Sequence, residues 1–461
     1  MTLIKSISGI RGTIGGKEGD NLTPLDVVRF SAAFYTLVSR KLNKSNVKMV
    51  IGRDARVSGP MIQALVANTL VGMGAEVVDL GLSTTPTVEV AVEAEQADAG
   101  IILTASHNPG QWNALKLLNA KGEFISADWG KELLAIGEAS DFEFAPFDQL
   151  GSVHSKDYMA YHIEKIMALP LVNAEAIAKA NFKVVVDGVH SSGGVYVPAL
   201  LKALGVKDIQ VLYAEPTGIF PHNPEPLAEH LGEISKVMKS SAAEIGIVVD
   251  PDVDRLAFVC EDGSMFGEEY TLVAVADYVL KHQKGNTVSN LSSTRALRDV
   301  TEKHGHTYSA AAVGEVNVVE KMKETQAVIG GEGNGGIIYP ELHYGRDALV
   351  GIALFLSHMA ELGKPKLSAL RDGYPYYAMS KQKIELQAGL DVDGILKKME
   401  DRYANEPHST IDGLKIDFPS SWVHLRKSNT EPIIRIYSES GSKQDADALA
   451  DRFVREIQEL V

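Results

Sequence analysis

Short apolar runs alternate with stretches of helical spacing from the N-terminus to about residue 360, the pattern of an α/β protein. After Thr23-Pro24, apolar residues fall at Val27, Phe30, Phe34, Leu37 and Val38, which predicts a helix. Met49-Val50-Ile51 predicts a strand running into Gly52-Arg53-Asp54, and a helix follows from about Pro60, where proline suits the first turn. Strands are expected near Glu76-Val77-Val78 and at Gly100-Ile101-Ile102-Leu103, which ends at Thr104-Ala105-Ser106-His107-Asn108-Pro109. The same order recurs twice. In the second copy, Phe182 to Val186 and Ile209 to Tyr213 read as strands, and helices are expected at Val197 to Leu204 and Leu227 to Met238. The strand Ile245 to Val249 then ends at Asp250-Pro251-Asp252-Val253-Asp254-Arg255. In the third, Ala327-Val328-Ile329 reads as a strand ending at the glycine run Gly330 to Gly336.

The texture changes after about residue 364. Lys383 to Leu386 alternates like a half-buried strand, Ile433 to Tyr437 is another, and the segment from about Asp445 is an amphipathic helix. The pattern predicts an α/β protein of three related α/β domains with mixed sheets, at 1–152, 153–254 and 255–364. A smaller C-terminal α+β domain follows at 365–461. Length alone, 461 residues at roughly 150 per domain, suggests three domains, so the pattern raises the count to four.

Composition narrows the class. With 45% hydrophobic and 23% charged residues, the chain is neither a disordered protein nor a rod. Its 60 acidic against 45 basic side chains give a formal charge of −15, unfavourable for generic binding to nucleic acid. The one cysteine, Cys260, excludes an intrachain disulfide. No signal-like N-terminus and no long apolar stretch is evident, so a cytoplasmic protein off the membrane is expected.

Three loops at strand ends carry candidate chemistry, because ligands gather at the carboxyl ends of strands in open α/β sheets. Ser106 lacks a Gly-x-Ser-x-Gly elbow, and His107 is poorly placed to be its own neighbour's triad base. Another mechanism must activate it. Asp250, Asp252 and Asp254 form an oxygen-only set that suits a hard cation, Mg²⁺ first. If the segment is extended, alternate spacing points all three side chains one way. The glycine loop carries Glu332 and Asn334 to a polar ligand; no helix follows it, which weakens a dinucleotide reading. In the last domain, Arg426-Lys427-Ser428-Asn429-Thr430-Glu431-Pro432, followed by Arg435, suits either a phosphate dianion or an exposed basic turn. Arg11, Asn113 and Lys116, the Gly52-to-Gly59 loop with Asp54 and Arg56, and His343 beside Tyr344-Gly345-Arg346-Asp347 complete the candidates.

In order and spacing these pieces resemble the α-D-phosphohexomutase superfamily along essentially the whole chain, most closely its archaeal-type phosphoglucosamine mutase branch. The resemblance implies four domains around a central cleft. It implies that Ser106 is the phosphorylated residue, that Arg11, His107 and Lys116 are catalytic, and that Asp250, Asp252 and Asp254, with Ser106, hold one Mg²⁺. It places Arg255, Glu332, Asn334, His343, Arg426, Ser428, Asn429, Thr430 and Arg435 at the substrate. The implied reaction interconverts glucosamine 6-phosphate and glucosamine 1-phosphate through a hexose 1,6-bisphosphate, in a monomer or homodimer. The alternatives are a phosphomannomutase or phosphoglucomutase of the same superfamily and a phosphosugar-binding protein without turnover. Gly336 stands where many relatives carry a histidine, a role His343 could fill.

Overall fold

The computed structural model describes residues 2–6, 9–385, 391–427 and 433–460. The chain groups into two compact units, Met1–Thr271 with Asn334–Ala369 and Leu272–Gly333 with Leu370–Val461.

In the first unit a seven-stranded sheet runs Ile4–Ser6, Gly9–Thr13, Trp112–Leu118, Ala99–Leu103, Lys48–Arg53, Glu76–Leu82 and Ser152–Ser155. It is mixed: the last four strands are parallel, and Trp112–Leu118 is antiparallel to both neighbours. Alternation along Met49-Val50-Ile51 sends Met49 and Ile51 into one apolar layer and Val50 into the other, so both faces of the sheet are covered. The expected helix spans Pro24–Leu42; Thr23 and Asp26 close a reciprocal cap at its start, and Asn43 ends it in the left-handed conformation.

A second sheet orders Leu256–Cys260, Ile245–Val249, Lys183–Asp187 and Asp208–Leu212. Leu256–Cys260 pairs antiparallel with Ile245–Val249, so the boundary expected at residue 254 falls inside this sheet's hairpin. The boundary expected at 152 likewise falls at Ser152–Ser155, which pairs with Glu76–Leu82 of the first sheet. The helix expected over Leu227 to Met238 divides into a 3₁₀ turn, Ala228–His230, and a helix, Gly232–Ser240, because Leu231 leaves helical geometry at φ −103° and ψ 28°.

In the second unit, Tyr308–Ala311, Thr287–Asn290 and Ile329–Glu332 pair in parallel. The last strand starts at Ile329, two residues later than expected, and so runs through Gly330 and Gly331. Glycine is required at Gly330, where a Cβ would lie 2.8 Å from the Val288 carbonyl oxygen. A five-stranded antiparallel sheet follows, ordered Ala378–Glu385, Ile433–Ser440, Trp422–Lys427, Leu414–Asp417 and His408–Ser409. One face packs on the helices Val392–Arg402 and Lys443–Gln458 around Phe453. The other meets residues 290–295, where His424 Nδ1 lies 2.9 Å from Ser292 Oγ, and Glu439 accepts from Trp422 Nε1 and Arg295 N. No helix among the described residues is long and apolar enough to cross a membrane.

Phe453 is fully buried and stacks on Tyr403 at 5.0 Å. Phe453→Ala is expected to destabilise this unit by about 3 to 5 kcal/mol, seen as an earlier urea transition.

Candidate active site

Ala99–Leu103 is buried along its whole length, so the loop that follows it begins at a fixed point. Ser106 then adopts φ 49°, a left-handed conformation that costs a residue with a Cβ about 1 to 2 kcal/mol. What holds it there is Arg56. This guanidinium is wholly buried and uses all five N–H groups. Nε donates to Asp54 Oδ2 at 3.0 Å, Nη1 to the carbonyls of Pro109 and Trp112, and Nη2 to those of Ser106 and Asn108. Asp54 also accepts from Thr104 Oγ1, which in turn accepts from Ser106 N. The ring of Phe220 covers the guanidinium at 5.0 Å.

Ser106 Oγ donates to Asp250 Oδ2 at 2.7 Å. Asp250, Asp252 and Asp254 are all at most 1% exposed, and their ligating oxygens lie within 4.8 Å of one another. They converge through a turn in the loop at the strand end, and not by the alternation an extended segment would have given. Val253 sits at φ 62°, and the N–H groups of Asp254 and Arg255 fold back onto Asp250 Oδ1 at 3.1 Å each. Turning the chain back on Asp250 gives those two N–H groups a buried acceptor that an extended strand end would not supply.

Three like charges out of water demand partners. Lys116 Nζ lies 2.7 Å from Asp252 Oδ2 and 3.2 Å from Asp254 Oδ2, and Arg346 Nη2 lies 2.7 Å from Asp254 Oδ2. Thr85 Oγ1 donates to Asp252 Oδ2 at 2.6 Å. Burial alone would lower the Lys116 ammonium, but Asp252 and Asp254 outweigh it and raise it, keeping the proton in place. Burial, then the charges of Asp252 and Asp254, push the Asp250 carboxyl well above the usual range. Asp252 Oδ1 and Asp254 Oδ1 are buried and accept no hydrogen bond. Unsatisfied, all-oxygen and mutually close, this set fits a hard divalent cation.

The remaining expected residues divide by unit. Arg11 faces Ala114 across the Gly9–Thr13 and Trp112–Leu118 pair, on the same side of the sheet as Lys116, two residues further on. Asn113 donates to Ser58 Oγ. Arg255 pairs with Glu225 at 3.2 Å, and His107 Nε2 lies 4.0 Å from the same carboxylate. His107 Nδ1 is 3.4 Å from Ser106 Oγ; burial and the nearby Arg255 hold the ring well below 6.5, hence neutral at pH 7. Asn334 Oδ1 accepts from Gly336 N.

His343 is a correction. Expected at the substrate, it is instead buried, with Nε2 hydrogen-bonded to Asp347 at 3.3 Å and Nδ1 in ion-pair range of Glu89 at 3.2 Å. It does not stand in for a histidine at 336 either. A Cβ on Gly336 would lie 2.3 Å from Arg346 Cδ, so the arginine that reaches Asp254 fills that space.

In the second unit Glu332 Oε1 accepts from Asn290 Nδ2 and Gly314 N. Arg426 and Arg435 face each other across adjacent strands, and Lys383 faces Arg435 on the next, a row of three cations. Like charges directly opposite repel unless an anion joins them. Asp412 answers one, at 2.8 Å from Arg426 Nε. Ser428, Asn429 and Thr430 lie outside the described residues.

Thr85, Arg346 and Glu225 had no assigned role in the sequence reading. The polar run Ser83-Thr84-Thr85 before an apolar helix signals a cap, and Arg346 stood beside a candidate, but nothing local ties either to the aspartates.

Comparison with known proteins agrees with this geometry. Phosphoglucomutase/phosphomannomutase α/β/α domains I, II and III match residues 3–144, 160–263 and 267–377, and the C-terminal domain of that family matches 381–456. The chain belongs to the α-D-phosphohexomutase superfamily. It is a mutase, an isomerase of the phosphohexomutase type. A phosphoglucomutase/phosphomannomutase of Thermococcus kodakarensis is 34% identical over 460 residues, 98% of each chain. A phosphoglucosamine/phosphogalactosamine mutase of Sulfurisphaera tokodaii is 30% identical over 459 residues, again 98% of each. Among solved structures, a phosphoglucomutase/phosphomannomutase family protein of Burkholderia thailandensis superposes with a TM-score of 0.84 at 27% identity, covering 99% of this chain and 98% of its own.

Two outcomes follow for this phosphohexomutase. Arg56→Lys offers three donors where five are used, leaving buried carbonyls unsatisfied at about 1 to 3 kcal/mol each. It is expected to lower the melting temperature and abolish most turnover. Gly336→Ala is expected to lower kcat by displacing Arg346 from Asp254, while circular dichroism stays that of the wild type.

Proposed function

We propose that the chain is a Mg²⁺-dependent phosphoglucosamine mutase, interconverting glucosamine 6-phosphate and glucosamine 1-phosphate through phosphorylated Ser106 and a hexose 1,6-bisphosphate. The observation that carries this reading is Ser106 Oγ at 2.7 Å from a buried three-aspartate set. A serine held in a strained turn by Arg56, and aimed at carboxylates that need a cation, fits in-line phosphoryl transfer, where positioning and charge neutralisation dominate. Asp250, Asp252 and Asp254 would hold Mg²⁺, with Ser106 as a further ligand, and the ion would neutralise charge on the phosphoryl oxygens.

The chain's own residues supply the rest. The phosphorus–oxygen bond to Ser106 breaks as one forms to a sugar hydroxyl. The hydroxyl loses its proton and Ser106 Oγ gains one. Neutral His107, with Nδ1 3.4 Å from Ser106 Oγ, is placed to relay the hydroxyl's proton to that oxygen, and Lys116, fixed in its charged form between two aspartates, supplies positive charge beside the transfer. Return transfer from the other end of the bisphosphate restores phosphoserine. Arg11 and Arg255 add positive charge to the first unit's part of the site. Arg426 and Arg435, joined by Ser428, Asn429 and Thr430, bind the phosphate that does not react, and Glu332 and Asn334 meet the sugar. The chain divides into four domains, with the second ending after Leu256–Cys260. The partner is a small phosphosugar, not nucleic acid or membrane, for a cytoplasmic monomer or homodimer.

The amino-sugar preference draws on the Sulfurisphaera tokodaii relative, whereas the Thermococcus kodakarensis relative's name favours glucose and mannose phosphates. Intact mass is expected to show one phosphate on the wild type and none on Ser106→Ala, with turnover lost. With a trace of hexose 1,6-bisphosphate, kcat/KM for glucosamine 6-phosphate should exceed those for the glucose, mannose and N-acetylglucosamine phosphates. Higher values for mannose or glucose phosphate would move the assignment to the alternative. Free phosphate as the main product, or a Ser106→Ala enzyme at the wild-type rate, would sink the mutase chemistry.

A further inference from the structure

Behind the aspartate turn lies a closed ring of buried polar groups that the reaction above does not use. It begins on the helix Thr85–Ala94, whose first residue holds Asp252 through both Oγ1 and its backbone N–H. One turn along the same helix, Glu89 Oε2 lies 3.2 Å from His343 Nδ1. His343 Nε2 lies 3.3 Å from Asp347 Oδ2. Asp347 caps the helix Ala348–Glu361, its Oδ1 accepting from Leu349 N and Val350 N, and its Oδ2 also accepts from His162 Nε2 at 3.0 Å. His162 Nδ1 then meets Thr87 Oγ1 at 2.9 Å, back on the first helix.

Two of the helices so joined grip the aspartate turn. Thr85 holds Asp252, Arg346 beside the cap holds Asp254 Oδ2, and Ala348 N donates to the Val253 carbonyl at 3.1 Å. The ring therefore sets the spacing between the two grips. We infer that His343 and His162, with Glu89 and Asp347, are positioning residues for the metal turn, and that a doubly protonated His343 is the bolt that closes the ring.

The charge follows from geometry. Both ring nitrogens of His343 lie within 3.3 Å of a carboxylate: Nε2 donates to Asp347, and Nδ1 meets Glu89 as an ion pair without hydrogen-bond alignment, so a charged imidazolium answers both. Burial opposes that charge, and Asp347 and Glu89 overcome it, raising His343 to about 10 from 6.5. Burial likewise works against ionisation of Asp347, and the two imidazoles outweigh it, holding the carboxyl well below its usual range. The charged or titratable groups around His343 are Glu89, Asp347 and His162 from three helices, with Arg346 on its own loop. Stability drawn from this proton is present in full below 6.5 and is lost as pH rises through about 10.

The test compares full-length wild type with His343→Gln in three measurements, of which only the last rests on the mutase reading. The gap in melting temperature should be widest near pH 6 and close towards pH 10; a gap independent of pH overturns the protonated bolt. Mn²⁺ affinity of the free protein, read by electron paramagnetic resonance, should fall ~10-fold, as for residues that orient metal ligands. Unchanged affinity overturns the positioning role. In the mutase assay kcat should fall while KM for hexose phosphate stays put, and a rise in KM alone overturns it. Zinc bound stoichiometrically to purified wild type and lost in His343→Gln would also overturn it, a metal then replacing the proton. If neither protein turns over any hexose phosphate, the mutase reading fails alone, and the pH and Mn²⁺ results still decide. Should His343→Gln not fold, Glu89→Gln removes one carboxylate and is expected to show the same closing gap.

Discussion

Placing three carboxylates in a dry turn at the end of a strand is a large electrostatic liability, worth several kcal/mol for each ion after relaxation. Much of the first unit can be read as the answer to it. Lys116 comes from the antiparallel strand of the first sheet, Thr85 from the start of one helix, Arg346 from the approach to another, and two backbone N–H groups from the turn itself. None of these alone neutralises the set, and two carboxylate oxygens still lack a partner. Those two unmet acceptors are what would let the site take up a cation. The aspartate set also fixes the first and second sheets to each other, because Ser106 and Asp250 meet from different sheets.

The strained serine loop obeys the same logic at a second level. A left-handed serine would relax if its carbonyl and its neighbours' carbonyls were free to turn. Arg56 engages four of them, and its charge is matched by Asp54 within the same buried cluster. Phosphoryl transfer asks for little bond-making ingenuity from a protein and a great deal of aim. If Ser106 carries the phosphoryl group, that aim comes from backbone oxygens and does not depend on any residue that would contact a sugar.

Much of this was legible in the chain. Runs such as Ile245 to Val249 and Gly100 to Leu103 were readable because buried parallel strands are apolar throughout, and the loops after them stood out by contrast. The four-part division held at the level of sheets, but the Leu256–Cys260 run was placed on the wrong side of a boundary. A fully apolar strand does not reveal which sheet it joins. The aspartate loop is legible from its composition and its place at a strand end, but not its shape, since Val253 in a left-handed conformation contradicts β-branched preference and only the packed turn enforces it. Gly336 was visible as a departure; that Arg346 occupies the vacated space depends on contacts ten residues away, which no local pattern encodes. His343 stands out as a lone histidine; its bond to Asp347 is local, four residues on, but Glu89 lies 254 positions earlier, on a helix no local pattern ties to it.

The first unit is not continuous in the chain. Residues 272–333 depart to the second unit before Asn334–Ala369 returns. Arg346 therefore joins Asp254 across 92 positions of sequence. On a ribosome adding about 5 to 20 residues per second, the aspartates emerge roughly 5 to 20 s before that arginine. During this interval the nascent turn has Lys116 and Thr85 but not its last cation, and the cap at Asp347 does not yet exist. A cation from the surroundings, bound early, would serve as a temporary scaffold for biogenesis. The same acidic turn thus carries a burden in the assembly of the molecule as well as in its chemistry.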